Sequence, residues 1–217
     1  MESYRLEGQT FVIDDYDRKP AFSSFLPGLA GVKGIPLWTF YTNRGQGMNS
    51  FGIDNKGNAI MEFNSANTAF ENTQVKGFRT FLKIDGEYYE PFFTYEKEAK
   101  RQMRMNKNSF KIIETNEKYG IEVTVNYYVL PNESIGALVR QVSVKNIGDS
   151  AKEVQVIDGL PKLLHMVSLT ASLKKCQTYL RVGQILEILK TRFHIIHLEH
   201  QQRIQQKYLM LRVDITI

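Results

Sequence analysis

Hydrophobic positions along residues 1–163 recur with a period of two. Ile121, Val123, Val125, Tyr127 and Val129 alternate with Glu122, Thr124, Asn126 and Tyr128, the mark of a strand with one buried face. The run stops at Leu130-Pro131-Asn132-Glu133-Ser134. It resumes over Ala137, Val139 and Val142-Ser143-Val144, and breaks again at Asn146-Ile147-Gly148-Asp149. Val154-Gln155-Val156-Ile157 follows. Three consecutive strands with short turns predict an antiparallel meander. Earlier strand candidates are 10–14, 37–43, 48–53, 58–63, 78–84, 87–93 and 102–115. Asn55-Lys56-Gly57-Asn58 and Asp85-Gly86 read as hairpin turns, and Lys107-Asn108 as a further one. The stretch from Phe25 to Gly34 is dense in Gly and Pro and reads as a shaped loop, not an element interior. About ten short strands at this spacing predict an all-β protein with a large antiparallel sandwich.

Composition agrees with a folded chain and adds one break. The 217 residues are 42% hydrophobic and 24% charged, as expected of a globular domain with a sizeable core. One cysteine, Cys176, excludes a disulfide framework and a cysteine-based zinc site. The segment MESYRLEGQTFVIDD lacks the apolar run of a secretory leader, and no membrane-length apolar run follows, so a cytoplasmic, membrane-free protein is expected. The net charge of +5 is uneven: residues 1–163 hold 20 Lys+Arg and 20 Asp+Glu, whereas 164–217 hold 8 and 3. All four histidines, His165, His194, His197 and His200, fall in that last quarter. So does Cys176, while only one of the 15 glycines and no asparagine does. Because the body is neutral, nucleic-acid binding is not the reading of this basic excess.

Chemistry-bearing residues are few. Trp38 and Tyr41, with Phe40, would suit a sugar-stacking platform, although a strand Trp is more often core. Arg44 and Gln46, set among glycines in Asn43-Arg44-Gly45-Gln46-Gly47, could hydrogen-bond sugar hydroxyls or a phosphate. The competing reading for Arg44 closes its turn onto a neighbouring carboxylate. Arg79 in Gly77-Phe78-Arg79-Thr80-Phe81 reads as a structural ion-pair partner. No Gly-Lys-Ser/Thr follows the glycine-rich stretch, so it is not a phosphate-binding P-loop. The body has no His and therefore no Ser/His/Asp set, and the spacing of Asp14, Asp15, Asp17 and Glu62 supports no acid–base pair. On a helix, His194 and His197 would share a face with His200 nearby, a metal-like pattern in a tail of doubtful selection. No catalytic residue and no metal site is assigned.

Three stretches together resemble a known family. AFSSFLPGLAGVKGIPLWTFYTNRGQGMNSFG (21–52), GFRTFLKIDGEYYEPF (77–92) and VQVIDGLPKLL (154–164) are similar to the N-terminal region of bacterial glycoside phosphorylases. These are the cellobiose phosphorylase-like enzymes of glycosyltransferase family 36 and glycoside hydrolase family 94. The resemblance covers about residues 8–164 and implies a β super-sandwich of the galactose-mutarotase type. In that family the domain precedes a helical linker and an (α/α)6 barrel that carries the catalytic acid. The family cleaves a β-glucoside with inorganic phosphate and inverts the anomeric centre, with no metal or organic cofactor. The resemblance thus implies a disaccharide or oligosaccharide β-glucoside as partner and leaves open whether the intact enzyme is a homodimer; Trp38, Tyr41, Arg44 and Gln46 are the candidate binding residues by their own chemistry. A sandwich of 164 residues would be incomplete, and without the barrel it would not catalyse phosphorolysis.

The resemblance stops at about Leu164. A family-like continuation after VIDGLPKLL would run PYGV, where this chain has His165-Met166-Val167. With one base restored before the His codon, CAY-ATG-GTN is read as xCA-YAT-GGT, which allows Pro, Tyr and Gly. The same shift over Val182 to Arg192 admits WADIRNIENK, restoring residue types that the tail lacks. Residues 165–217 are therefore expected to be an out-of-frame tail, weakly packed and partly helical. A stand-alone carbohydrate-binding module is the alternative to a phosphorylase fragment, and a basic-tailed interaction protein is a third class.

Overall fold

The computed structural model describes residues 3–93, 98–160, 195–198 and 207–216. Fifteen strands are present among them. In order they are β1 (Tyr4–Glu7), β2 (Thr10–Asp14), β3 (Ser23–Ala30), β4 (Ile35–Thr42), β5 (Met48–Ile53), β6 (Ala59–Met61), β7 (Arg79–Ile84) and β8 (Glu87–Tyr89). Then follow β9 (Lys100–Met105), β10 (Ser109–Asn116), β11 (Ile121–Leu130), β12 (Gly136–Asn146), β13 (Val154–Gly159), β14 (Ile195–Leu198) and β15 (Lys207–Thr216). One α-helix, α1 (Ala66–Lys76), interrupts them.

The strands form an eight-stranded sheet in the order β1-β2-β9-β10-β11-β12-β15-β14, a four-stranded sheet β3-β4-β5-β6, and a three-stranded sheet β13-β7-β8. Every pairing is antiparallel except β12 with β15. Alternation fixes which face is buried: Phe110, Ile112, Ile121, Val123, Val125 and Tyr127 turn inward from β10 and β11. They meet Leu26, Leu37, Tyr41 and Phe51 of the four-stranded sheet in one hydrophobic cluster. Tyr41, Phe110 and Tyr127 stack in series, each ring centroid 4.5 Å from the next. Two sheets packed over one core make the all-β sandwich that the period-two pattern predicts.

Within residues 1–163, two expectations change. Residues Ser23–Ala30 are strand β3, not a loop: Pro27 takes a strand position opposite Trp38. As the sheet edge, β3 tolerates a proline that lacks an N–H. Secondly, β13 leaves the expected meander and pairs with β7, so of those three strands only β11 and β12 pair with each other. The 102–115 candidate divides at Lys107-Asn108 into the antiparallel pair β9 and β10, as the hairpin turn expected there requires. Helix α1 has no sequence expectation behind it, because only Ala69 and Thr73 are buried on it. Of the expected tail, 165–194, 199–206 and 217 lie outside the described residues, and the described parts are strands, not helix. β15 lies along β12 over ten residues in parallel register.

Candidate functional site

Trp38, Tyr41, Arg44 and Gln46 lie close in sequence but do not converge. Trp38 and Phe40 share one face of β4, and strand alternation puts Tyr41 on the other, with the buried Leu37 and Thr39. Tyr41 is buried against Phe110, and that burial pushes its phenol above its ordinary range. Arg44 closes its turn onto backbone oxygens, not a carboxylate: it donates to Asn43 O at 2.8 Å and Lys19 O at 3.2 Å. Gln46 is buried, donates from Nε2 to Thr80 Oγ1 at 2.9 Å, and accepts from Arg140. Of the four, Tyr41 and Gln46 are buried, whereas Trp38 and Arg44 keep partial exposure. The shared platform expected of them does not form.

Gln46 belongs instead to a buried knot that sequence reading missed. Its centre is Arg140 on β12, 0% exposed. The guanidinium donates to Asp158, to Gln46 Oε1 and, at 3.1 Å, to Tyr127 Oη. It also lies 4.8 Å over the Phe78 ring. Thr80 Oγ1 donates to Asp158 Oδ1 at 2.6 Å. Burial pushes the Tyr127 phenol up to about 12, so it stays neutral and can accept from the arginine. Every charge in the knot has an opposite or polar partner, the condition under which an arginine tolerates full burial.

The knot also joins the three stretches that carry the family resemblance. Gln46 comes from the first, Phe78 and Thr80 from the second, and Asp158 from the third. A second buried knot holds Arg101 between Asp17 and Glu114, each at 2.5 Å. Glu114 also accepts from Tyr89 Oη and, at 2.7 Å, from Phe92 N. Arg79 pairs bidentately with Glu90 at 2.6 and 2.7 Å, as expected of a structural ion pair. Asp14 accepts from Arg5 and Gln102, so neither it nor Asp17 is free to act as a general base.

The outer face of the four-stranded sheet differs. Phe25, Pro27 and Leu29 of β3 stand beside Pro36, Trp38 and Phe40 of β4, placed on one face by register. Phe63, just past β6, closes the group, its ring 5.9 Å from Trp38 and 6.2 Å from Phe25. Phe25 is 49% exposed and Leu29 65%, an apolar surface that the sandwich does not use. An open cleft runs along it between Pro27, Leu29, Pro36 and Trp38, with Asp54 at its end. The Asp54 carboxylate makes no hydrogen bond or ion pair among the described residues. Trp38 Nε1 is one of four buried side-chain polar atoms without a partner there.

No protein-family model matches the chain, and no curated protein matches it. Among the described residues no helix is long and apolar enough to cross a membrane. None of their His, Cys, Asp and Glu residues gather into a group of three that could hold a metal ion. Of the histidine pattern, 195–198 is a strand, so the helical spacing does not operate there, and His194 and His200 lie outside the described residues.

Proposed function

We infer that this chain is a saccharide-binding β-sandwich domain of the kind found at the N-terminus of inverting β-glucoside phosphorylases. The observation that carries the binding role is the outer cleft: a partly exposed indole among prolines and aliphatic side chains, with a carboxylate at one end that is unpaired among the described residues. A pyranose has an apolar face of C–H groups and a rim of hydroxyls. Trp38 suits the first and Asp54 the second. Support for the family reading is the Arg140 knot, in which the three resembling stretches depend on one another.

The reading gives this sheet a binding role, not bond cleavage. Inverting phosphorolysis needs a carboxylic acid to protonate the leaving glycosidic oxygen while phosphate attacks the anomeric carbon from the opposite face. The buried Asp17, Glu114 and Asp158 are each held by an arginine, and Asp54 stands without a second acid among the described residues that line the cleft. Catalysis belongs to another part of the intact enzyme, and phosphate is its co-substrate. A stand-alone carbohydrate-binding module uses the same cleft and is the second reading.

Calorimetric titration of the full chain with cellobiose and laminaribiose tests the binding role. Saturable heat that Trp38→Ala abolishes is the expected result, and equal heats from both proteins overturn it. The proposed frame change at about residue 164 has a separate test in the coding DNA. An open +1 frame continuing VIDGLPKLL into PYGV-like sequence is expected, and early stop codons in that frame contradict it.

A further inference from the structure

A second cleft, polar where the first is apolar, lies between the end of β6 and the C-terminal half of α1. Its lining includes Asn49, Glu62, Asn64, Asn72, Lys76 and Gly77. A ladder of hydroxyls and amides holds its floor. Thr42 Oγ1 lies 3.2 Å from Thr73 Oγ1, which donates to Ala69 O at 2.6 Å. Asn49, 2% exposed, donates to Thr73 Oγ1 at 3.3 Å and accepts from Asn64 Nδ2 at 3.4 Å. Gly77 closes one end because a Cβ there would stand 2.4 Å from Thr73 O and 3.2 Å from Met48 O.

The rim, by contrast, is unsatisfied. The side chains of Glu62, Asn72 and Lys76 make no hydrogen bond or ion pair among the described residues, and neither does Asn64 Oδ1. A carboxylate and an ammonium at one cleft offset each other, so neither an anion nor a cation is favoured. Of the remaining groups, Asn72 offers an amide that donates and accepts side by side, and Asn64 offers Oδ1 as an acceptor while its Nδ2 donates to Asn49 Oδ1 and Glu62 O. Vicinal hydroxyls on a neutral ring likewise donate and accept.

We propose that this cleft binds the hydroxyl rim of a neutral pyranose, with Asn64 and Asn72 as its specificity-determining residues and Glu62 and Lys76 as flanking acceptor and donor. The identity of the ligand rests on the saccharide reading above; the site itself is separate from the Trp38 cleft.

The test follows the side-chain amide signals of Asn64 and Asn72, and the Trp38 indole signal, in the 15N-labelled full chain during titration with methyl β-glucoside and with cellobiose. Glycerol serves as the control. Saturable shifts of both amide pairs are expected, with affinity lowered about fivefold in Asn72→Ala, the loss of one net hydrogen bond. Alanine is favourable in the helix, so this variant keeps its fold. Shifts at Trp38 without shifts at the amides overturn the polar site and leave the binding role standing. Amide shifts without the indole uphold the polar site and overturn the Trp38 cleft. Shifts at neither, or the same linear drift with glycerol, overturn the polar site.

Discussion

Arg140 shows how much one residue can organise. It sits at 0% exposure and hydrogen-bonds side chains from four other segments of the chain. Replacing it with alanine leaves Asp158 buried without its cation and Gln46 without its donor. Arg140→Ala should therefore cost about 3–5 kcal/mol of stability, read by urea unfolding. A loss under about 1 kcal/mol would mean that water reaches Asp158 and that the knot is not closed. Nothing in the sequence around Arg140 announces this: Leu138-Val139-Arg140-Gln141-Val142 reads as an ordinary strand with one charged position. Gln46 misleads for the opposite reason. A polar residue among glycines suggests a ligand loop, yet its amide faces inward to an arginine 94 residues away. Side-chain direction across the core is set by tertiary contacts, which local pattern does not contain. Trp38 is legible because strand alternation alone places it opposite the buried Leu37 and Thr39.

At the scale of elements, the β10–β11–β12 run is the most legible. Its clean alternation in long strands leaves one choice of register. The β3 strand was hidden by its glycines and proline, whose local preferences yield to pairing with β4 along eight residues. Helix α1 was hidden because Ala69 and Thr73 are small and do not draw an apolar stripe. Strand β5 carries a close approach: a Cβ on Gly52 would lie 2.6 Å from Trp38 Cζ2, 2.6 Å from Asn58 O and 2.7 Å from Ala59 Cα. Gly52→Ala should thus cost about 1–3 kcal/mol and displace the indole, so thermal unfolding and saccharide affinity should fall together. Unchanged affinity in a folded Gly52→Ala protein would separate Trp38 from binding.

The β1–β2–β9 edge has an acid-sensitive tie of its own. Glu7 accepts from Arg5 at 2.7 Å and Arg104 at 2.5 Å, and these bonds hold its carboxyl below its ordinary 4.5. The unfolded chain then takes up the proton first, so stability falls as pH drops from about 4.5 through the lowered folded value. Because the pair is exposed, the effect should be local: faster hydrogen exchange in Tyr4–Glu7 on acidification, which Glu7→Gln removes. Exchange in β1 that is insensitive to pH across that interval, after correction for intrinsic rates, would contradict it.

At the scale of the whole molecule, the sandwich follows from period and turns, and the grouping into three sheets does not. β13 shows why: its alternation marks a strand, but only the pairing Val154 to Ile84 through Gly159 to Arg79 says which sheet it joins. The two clefts divide in the same way. The apolar one was legible through Trp38, whereas the polar one needs β5, the end of β6 and α1 brought together. That the molecule binds saccharide through its outer sheet face is the claim on which the functional account rests. Trp38 is the only tryptophan in the 217 residues, so indole emission of the unmodified chain, excited at the red edge where tyrosine does not absorb, reports on that cleft alone. Titration with cellobiose should shift its emission in a saturable way that glycerol does not reproduce. An emission spectrum unchanged up to high millimolar cellobiose would contradict the account.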